Sequence, residues 1–288
     1  MISSPFDVAC GIWQGGVLSR FLFAVYVDDL IERLRASGSG IYIGSLFYGC
    51  IYYMLMTLYF SLVAVTVSKS YWIFVVTTAL FNPGKSVARA FGGKSPSTGN
   101  VQFLSQQLQW STQVKYLGCQ FKCYMCEIDT QHFICKFYGA FHNILRVIGS
   151  KRNEMVAVHL IKSYCLPTLL YSCEKWHALS DNIRSANVAL NNSFRKVFDS
   201  FWRESVKLLL MYCWCLPISV LIQQRRLLFW KKCAFSDNPV LRTLALCCRD
   251  AVGAVCDLYK LTTHDLVVLP VYIVKQFIWD CFQRTVHT

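Results

Sequence analysis

Between Arg35 and Lys69 the chain carries no charged side chain, and that gap constrains its fold more than any single motif. The run Ala36–Ser68 exceeds the roughly 20 apolar residues that a spanning helix needs, so membrane association through 36–68 is one reading of it. Gly38-Ser39-Gly40 followed by Ile41-Tyr42-Ile43 suggests a turn and a strand in 36–50, and the Met-, Tyr-, Val- and Thr-rich residues 51–80 could form strands, a membrane span or an aggregate. Within the latter, the uncharged and mostly β-branched run Ile73–Thr78 has the signature of an aggregating segment. The hydrophobic fraction of 55% and mean hydropathy of +0.37 largely reflect this local excess. A chain of 288 residues has ample apolar material for one large or two modest cores.

The net charge of +13 is just as uneven. Residues 1–81 balance Arg20, Arg33, Arg35 and Lys69 against Asp7, Asp28, Asp29 and Glu32, which leaves 25 basic against 12 acidic side chains in 82–288. A basic C-terminal part fits a nucleic-acid backbone, because phosphate contacts are mostly electrostatic. It fits an ordinary basic surface as well. Fifteen cysteines, an odd count, lie in a chain whose start, Met1-Ile2-Ser3-Ser4-Pro5, has neither the charged nor the apolar region of a signal peptide. Free thiols in a reducing compartment, cytoplasm or nucleus, are therefore expected.

Near the N-terminus stands Gly11-Ile12-Trp13-Gln14-Gly15-Gly16-Val17-Leu18-Ser19-Arg20-Phe21-Leu22-Phe23. Gly15-Gly16 lets the backbone approach a ligand, and Leu18, Leu22, Val25, Leu30 and Leu34 then recur at helical spacing. The run resembles the Gly-x-Arg-Gln-Gly-Gly-x-Leu-Ser-Pro-x-Leu-Phe segment of non-LTR retrotransposon (LINE-type) reverse transcriptases. The resemblance implies that Gln14, Gly15 and Gly16 lie beside the incoming nucleotide and template base. Trp13 replaces the family's Arg, removing a cation there, and Arg20 replaces a Pro that would start a helix rigidly.

In that family a Tyr-Ala-Asp-Asp hairpin follows, whose aspartates hold the catalytic metal ions. Here its place is taken by Tyr53-Met54-Leu55-Met56, with no carboxylate. The codons TAT GCT GAT GAC ATT GTA CTT encode Tyr-Ala-Asp-Asp-Ile-Val-Leu. Read one base late, they give Met-Leu-Met-Thr-Leu-Tyr followed most naturally by Phe, which is Met54–Phe60. Residues 51–80 are accordingly read as out of frame. Tyr26-Val27-Asp28-Asp29 imitates the lost signature but falls inside the helical run. Adjacent carboxylates on a helix point about 100° apart and would not share a metal cleanly.

Downstream, Phe81-Asn82-Pro83-Gly84-Lys85-Ser86 resembles the family's Asn-Pro-x-Lys-Ser/Thr segment, placing Lys85 near the departing pyrophosphate by resemblance. As a phosphate-binding P-loop it fails, since position 79 is Ala. Lys115-Tyr116-Leu117-Gly118 suits a short turn between strands and resembles the Tyr-Leu-Gly hairpin that grips the primer. Residues 136–235 have the periodicity of amphipathic helices. Within them, Leu166-Pro167-Thr168-Leu169-Leu170-Tyr171 with Glu174-Lys175-Trp176 resembles the family's Leu-Pro-x-Leu-x-Tyr-Gly-x-Glu-x-Trp. Leu216-Pro217 followed by Arg225-Arg226-Leu227 resembles its later helical segment. Arg195, Lys196, Arg225, Arg226, Lys231 and Lys232 are candidate contacts for a nucleic-acid backbone, or else ordinary solvated faces. Cys123, Cys126, His132 and Cys135 have the composition of a zinc knuckle without its spacing; half-buried thiols are the default reading.

The expected fold is α+β: a partial reverse-transcriptase palm, helix plus short antiparallel strands, in 1–122, then an all-α thumb-like region in 123–248. Residues 249–288 form an unassigned tail, and the largely apolar Val267–Phe277 suits core, edge strand or read-through. Polymerisation needs two divalent ions on acidic ligands. The expectation is a relic of an RNA-directed DNA polymerase, inactive because both carboxylate sites are missing. The intact family takes Mg2+, an RNA template and a DNA primer; no cofactor is expected here. The alternatives are a residual RNA- or DNA-binding module and a membrane-associated protein.

Overall fold

The computed structural model describes residues 18, 21, 22 and 25, short strands between 40 and 110, and residues 111, 113–116, 118–122, 128–149, 153–176 and 181–287. The chain divides into two compact units, one of residues 1–80 with 102–104, the other of 81–101 with 105–288. Among the described residues the fold is mostly helical, with short strands in two-stranded pairs.

In the first unit the charge-free run makes two antiparallel hairpins. Strands β1 (Gly40–Ile43) and β2 (Leu46–Gly49) pair Ile43 with Leu46 across Gly44-Ser45, a dipeptide suited to a tight hairpin turn. Strands β3 (Tyr52–Met54) and β4 (Thr57–Tyr59) pair Met54 with Thr57, with Leu55 and Met56 between them. Tyr53 and Met54 thus lie on β3, while Leu55 and Met56 fall outside the described residues. The helical spacing after Gly16 yields a turn in which the Leu22 N–H donates to the Leu18 carbonyl at 2.9 Å. Its apolar side chains Leu18, Phe21, Leu22 and Val25 are all exposed.

The second unit contains a parallel pairing of Val87–Ala88 with Gln109–Trp110, then the hairpin of β5 (Gln113–Tyr116) and β6 (Cys119–Lys122). Tyr116 opposes Cys119, so Leu117-Gly118 is a two-residue connection, and Gly118 takes φ +77°, open to glycine without steric cost. Phe121 bridges Ile128, and the Asp129 N–H donates to the Gln120 carbonyl at 2.7 Å, leading the chain off the hairpin and into the helices.

Helix α1 (Gln131–Ile148) buries Phe133, Ile134, Phe137 and Phe141, a helical stripe that anchors the core. It stops at Gly149, whose φ of +74° ends the ladder. Helix α2 (Glu154–Leu160) starts on Asn153, whose Oδ1 accepts the Met155 and Val156 N–H groups at 3.0 and 3.3 Å. It then widens into a π turn, Ile161–Cys165, before α3 (Leu166–Leu169). Pro167 is the cause: it has no N–H to donate, and its ring crowds the carbonyl four residues back. The helices α4 (Asp181–Val197), α5 (Lys207–Tyr212) and α6 (Ile218–Ala234) complete the region read as helical from sequence.

The stretch left unassigned beyond 248 belongs to this same core. Helix α7 (Pro239–Cys247) begins on an Asn238 cap with proline at its first position, and α8 (Arg249–Asp257) follows it directly. Helix α9 (Thr263–Val268) opens with a capping box: the Asp265 N–H donates to Thr262 Oγ1 at 3.0 Å and the Thr262 N–H to Asp265 Oδ2 at 2.9 Å. Those hydrogen bonds hold the Asp265 carboxyl below its ordinary value. Helix α10 (Val271–His287) buries Val274, Ile278, Trp279 and Phe282. The apolar run Val267–Phe277 is therefore two helix pieces parted at Leu269-Pro270. No helix among the described residues is long and apolar enough to cross a membrane.

Candidate functional site: the turn at residues 170–176

Three segments scattered over more than a hundred positions of sequence, the β5–β6 turn, residues 166–176 and Arg225-Arg226 of α6, meet at residues 170–176. The first contact comes from the β5–β6 hairpin. A Cβ built on Gly118 would lie 3.7 Å from Tyr171 Cε1 and 3.8 Å from its hydroxyl, so the turn packs against the phenol end of that side chain. Tyr171 in turn lies 5.7 Å, centroid to centroid, from the buried ring of Phe133 on α1. Of the primer-grip residues expected by resemblance, Gly118 is placed here, Tyr116 by its backbone in β5, and Leu117 lies outside the described residues.

Ser172 sits at φ +58°, ψ +21°, in the left-handed region. A left-handed backbone costs a side-chain-bearing residue on the order of 1–2 kcal/mol, which glycine avoids. From Ser172 the chain closes a short 3-10 turn: the Lys175 N–H donates to the Ser172 carbonyl at 3.1 Å and the Trp176 N–H to Cys173 at 3.2 Å.

The third segment closes over this turn from α6. Arg225 donates to the Leu170 carbonyl at 3.1 Å and faces Glu174 at 3.8 Å, while Arg226 donates to the Trp176 carbonyl. Burial pulls the Arg226 guanidinium below its ordinary value, against the opposing pull of Cys173 and Glu174. Burial pushes the Cys173 thiol up to about 12, with the Glu174 charge adding to it and Arg225 working against it. Such a thiol stays protonated near neutrality, which removes it as a nucleophile.

The same use of cations recurs elsewhere in the unit. The Lys231 amine donates to the carbonyls of Leu266, Val267 and Leu269 at 2.9, 3.0 and 2.5 Å, capping the end of α9. Lys162, in the π turn, donates to Cys213 and Trp214 at 3.2 and 3.0 Å, just past the end of α5. Arg195 donates to Asn192 Oδ1 and to the Glu204 carbonyl, both at 3.1 Å. For Arg195, Arg225, Arg226 and Lys231, a contact to phosphate would compete with these carbonyls. Lys196 and Lys232 are exposed. Sequence inspection names most of these cations but not their partners, gives Lys162 no role, and misses Ser172. For Ser172 the signal was present, as the pattern's unmatched glycine.

Other expected residues lie apart from this turn. His132 is half-buried and Cys135 exposed, one helical turn apart on α1, while Cys123 and Cys126 fall outside the described residues. Among the described residues no three His, Cys, Asp or Glu side chains are grouped to hold a metal. Gln14, Gly15, Gly16, Lys85 and Tyr26–Asp29 also fall outside them. The described cysteines include buried Cys165 and Cys215, pushed up by burial to about 11 and about 12. The turn is thus a structural knot with no reactive group poised in it. No family model, no curated protein and no solved structure matches the chain.

Proposed function

We propose that the chain is a relic of a non-LTR retrotransposon reverse transcriptase that no longer polymerises. The observation that carries this reading is Ser172: its left-handed backbone falls where the resembled pattern has a glycine, a coincidence that composition does not explain. The contacts of the Tyr-Leu-Gly turn with Tyr171, and of Arg225 and Arg226 with residues 170–176, support it further. On this reading the second unit descends from a palm edge and a thumb, and its resembling residues persist because they hold that fold together.

Inactivity follows from chemistry. The two-metal mechanism needs carboxylates to seat its ions, one activating the primer hydroxyl and the other the leaving pyrophosphate. The two positions between Met54 and Thr57 carry Leu55 and Met56 instead. Primer extension on an RNA template with magnesium or manganese is expected to stay at the level of a heat-killed control; extension above it overturns the claim of inactivity. Translating all three frames of the DNA under residues 45–85 tests the ancestry separately. A neighbouring frame reading Tyr-Ala-Asp-Asp supports it, and its absence from every frame counts against it.

A further inference from the structure

We infer that the second unit carries an exposed dithiol, Cys247 with Cys248, that takes a soft thiophilic ligand of the trivalent arsenic class. Cysteine behaves as a small hydrophobe and is usually buried. The unit follows that habit at Cys165, Cys173, Cys213, Cys215 and Cys256. Among the described cysteines Cys135, Cys247 and Cys248 are exposed, and the last two are neighbours, the one adjacent pair in the sequence. Cys213 and Cys215 are nearly as close in sequence, but both are buried, and burial pushes the Cys215 thiol up to about 12.

The backbone holds this pair outward. Helix α7 packs on α6 through buried Ala245, whose carbonyl accepts the Trp230 indole N–H at 2.7 Å, while Leu246, Cys247, Cys248 and Arg249 are all exposed. Cys247 ends α7, and Cys248 joins it to α8. The Cys248 N–H donates to the Leu244 carbonyl at 3.1 Å, and the Val252 N–H donates to the Cys248 carbonyl at 3.1 Å. Inside a helix neighbouring side chains diverge by about 100°. Cys248 stands outside helix geometry, at φ −97°, ψ +7°, and each thiol turns about a single exposed χ1, so the two sulfurs can close on one atom. Sulfur is the soft donor that such a ligand prefers to oxygen or nitrogen. Two thiols suffice, because the ligand's own substituent fills its third position. With phenylarsine oxide as the ligand, two As–S bonds form and the As–O bond breaks. The oxygen leaves as water with both thiol protons, and neither sulfur nor arsenic changes oxidation state.

The test treats the reduced full-length chain with phenylarsine oxide in a large excess of mercaptoethanol, then reads the intact mass and the tryptic peptides. The second As–S bond is intramolecular, so the ring outlasts competition from a monothiol where a single-thiol adduct does not. The arsenical is expected on the peptide 243–249, which holds both thiols and no other cysteine, and dimercaptopropanol is expected to strip it. Cys247→Ser and Cys248→Ser are each expected to lower its retention there about ten-fold or more, and Cys135→Ser to leave it unchanged. All three positions are exposed, and far-UV circular dichroism checks the fold of each variant. The inference is overturned if the peptide 243–249 stays unmodified in the parent chain. It is overturned also if either Cys247→Ser or Cys248→Ser retains the arsenical there as the parent does, which is single-thiol capture alone. None of these outcomes touches the reading-frame test, so the two proposals fail independently.

Discussion

The two units handle apolar sequence in opposite ways. In the first, a long uncharged run supplies hairpins, and the described helical turn leaves Leu18, Phe21, Leu22 and Val25 exposed. In the second, apolar residues come in helical stripes, and Phe137, Phe141, Leu190, Phe194, Ile222 and Ile278 are wholly or almost wholly buried. Charge makes the difference. Polar residues between apolar stripes tell each helix which face to bury, and cations at helix ends tie one element to the next. A run with no charge has no such instruction, since shifting a strand by one residue exchanges its faces at little cost.

The contrast predicts that residues 131–287 carry the cooperative unfolding of the chain. The largest effect is expected from Phe137→Ala, which empties the centre of the α1 stripe and should cost about 3–5 kcal/mol. Urea denaturation followed by far-UV circular dichroism measures it, and an unmoved midpoint would break the comparison. Lys231→Met keeps the length of the side chain but abandons three carbonyls at the end of α9. A loss of about 2–3 kcal/mol is expected, with hydrogen exchange speeding up first in 263–287. Uniform exchange across the unit would instead mean that the amine is dispensable. The smallest effect has the opposite sign. Ser172→Gly relieves the left-handed backbone and should stabilise by up to about 1 kcal/mol, read as a raised Tm, while Ser172→Val should lower it. If glycine fails to stabilise, the turn is not held at the φ described.

Legibility in the sequence followed the same divide. The β5–β6 turn was readable because Gly118 marks it, and the helices through 235 because their stripes alternate with polar residues. Beyond 248 nothing resembled a known pattern. In Val267–Phe277 nearly every side chain is apolar, so periodicity vanished, and only Pro270 hinted that two helices meet there. The cations were visible as residues but not as roles. Arg225 reads the same from sequence whether it faces a phosphate or the Leu170 carbonyl 55 positions away. For residues 51–80 the sequence left strands, a membrane span and an aggregate all open, and the described part of that stretch pairs as β3 and β4.

The clasp of Arg225 and Arg226 over residues 170–176 also has a consequence in time. On a growing polypeptide the Leu170 and Trp176 carbonyls leave the ribosome 55 and 50 residues before the guanidiniums that bind them. At about 5–20 residues per second, the turn waits seconds for its clasp. Until then the turn has only its own short hydrogen bonds and the packing of Tyr171 on Phe133 and Gly118 to hold it. A chain halted before α6 is therefore more than a shortened protein: it presents an open joint to the quality-control machinery that meets it.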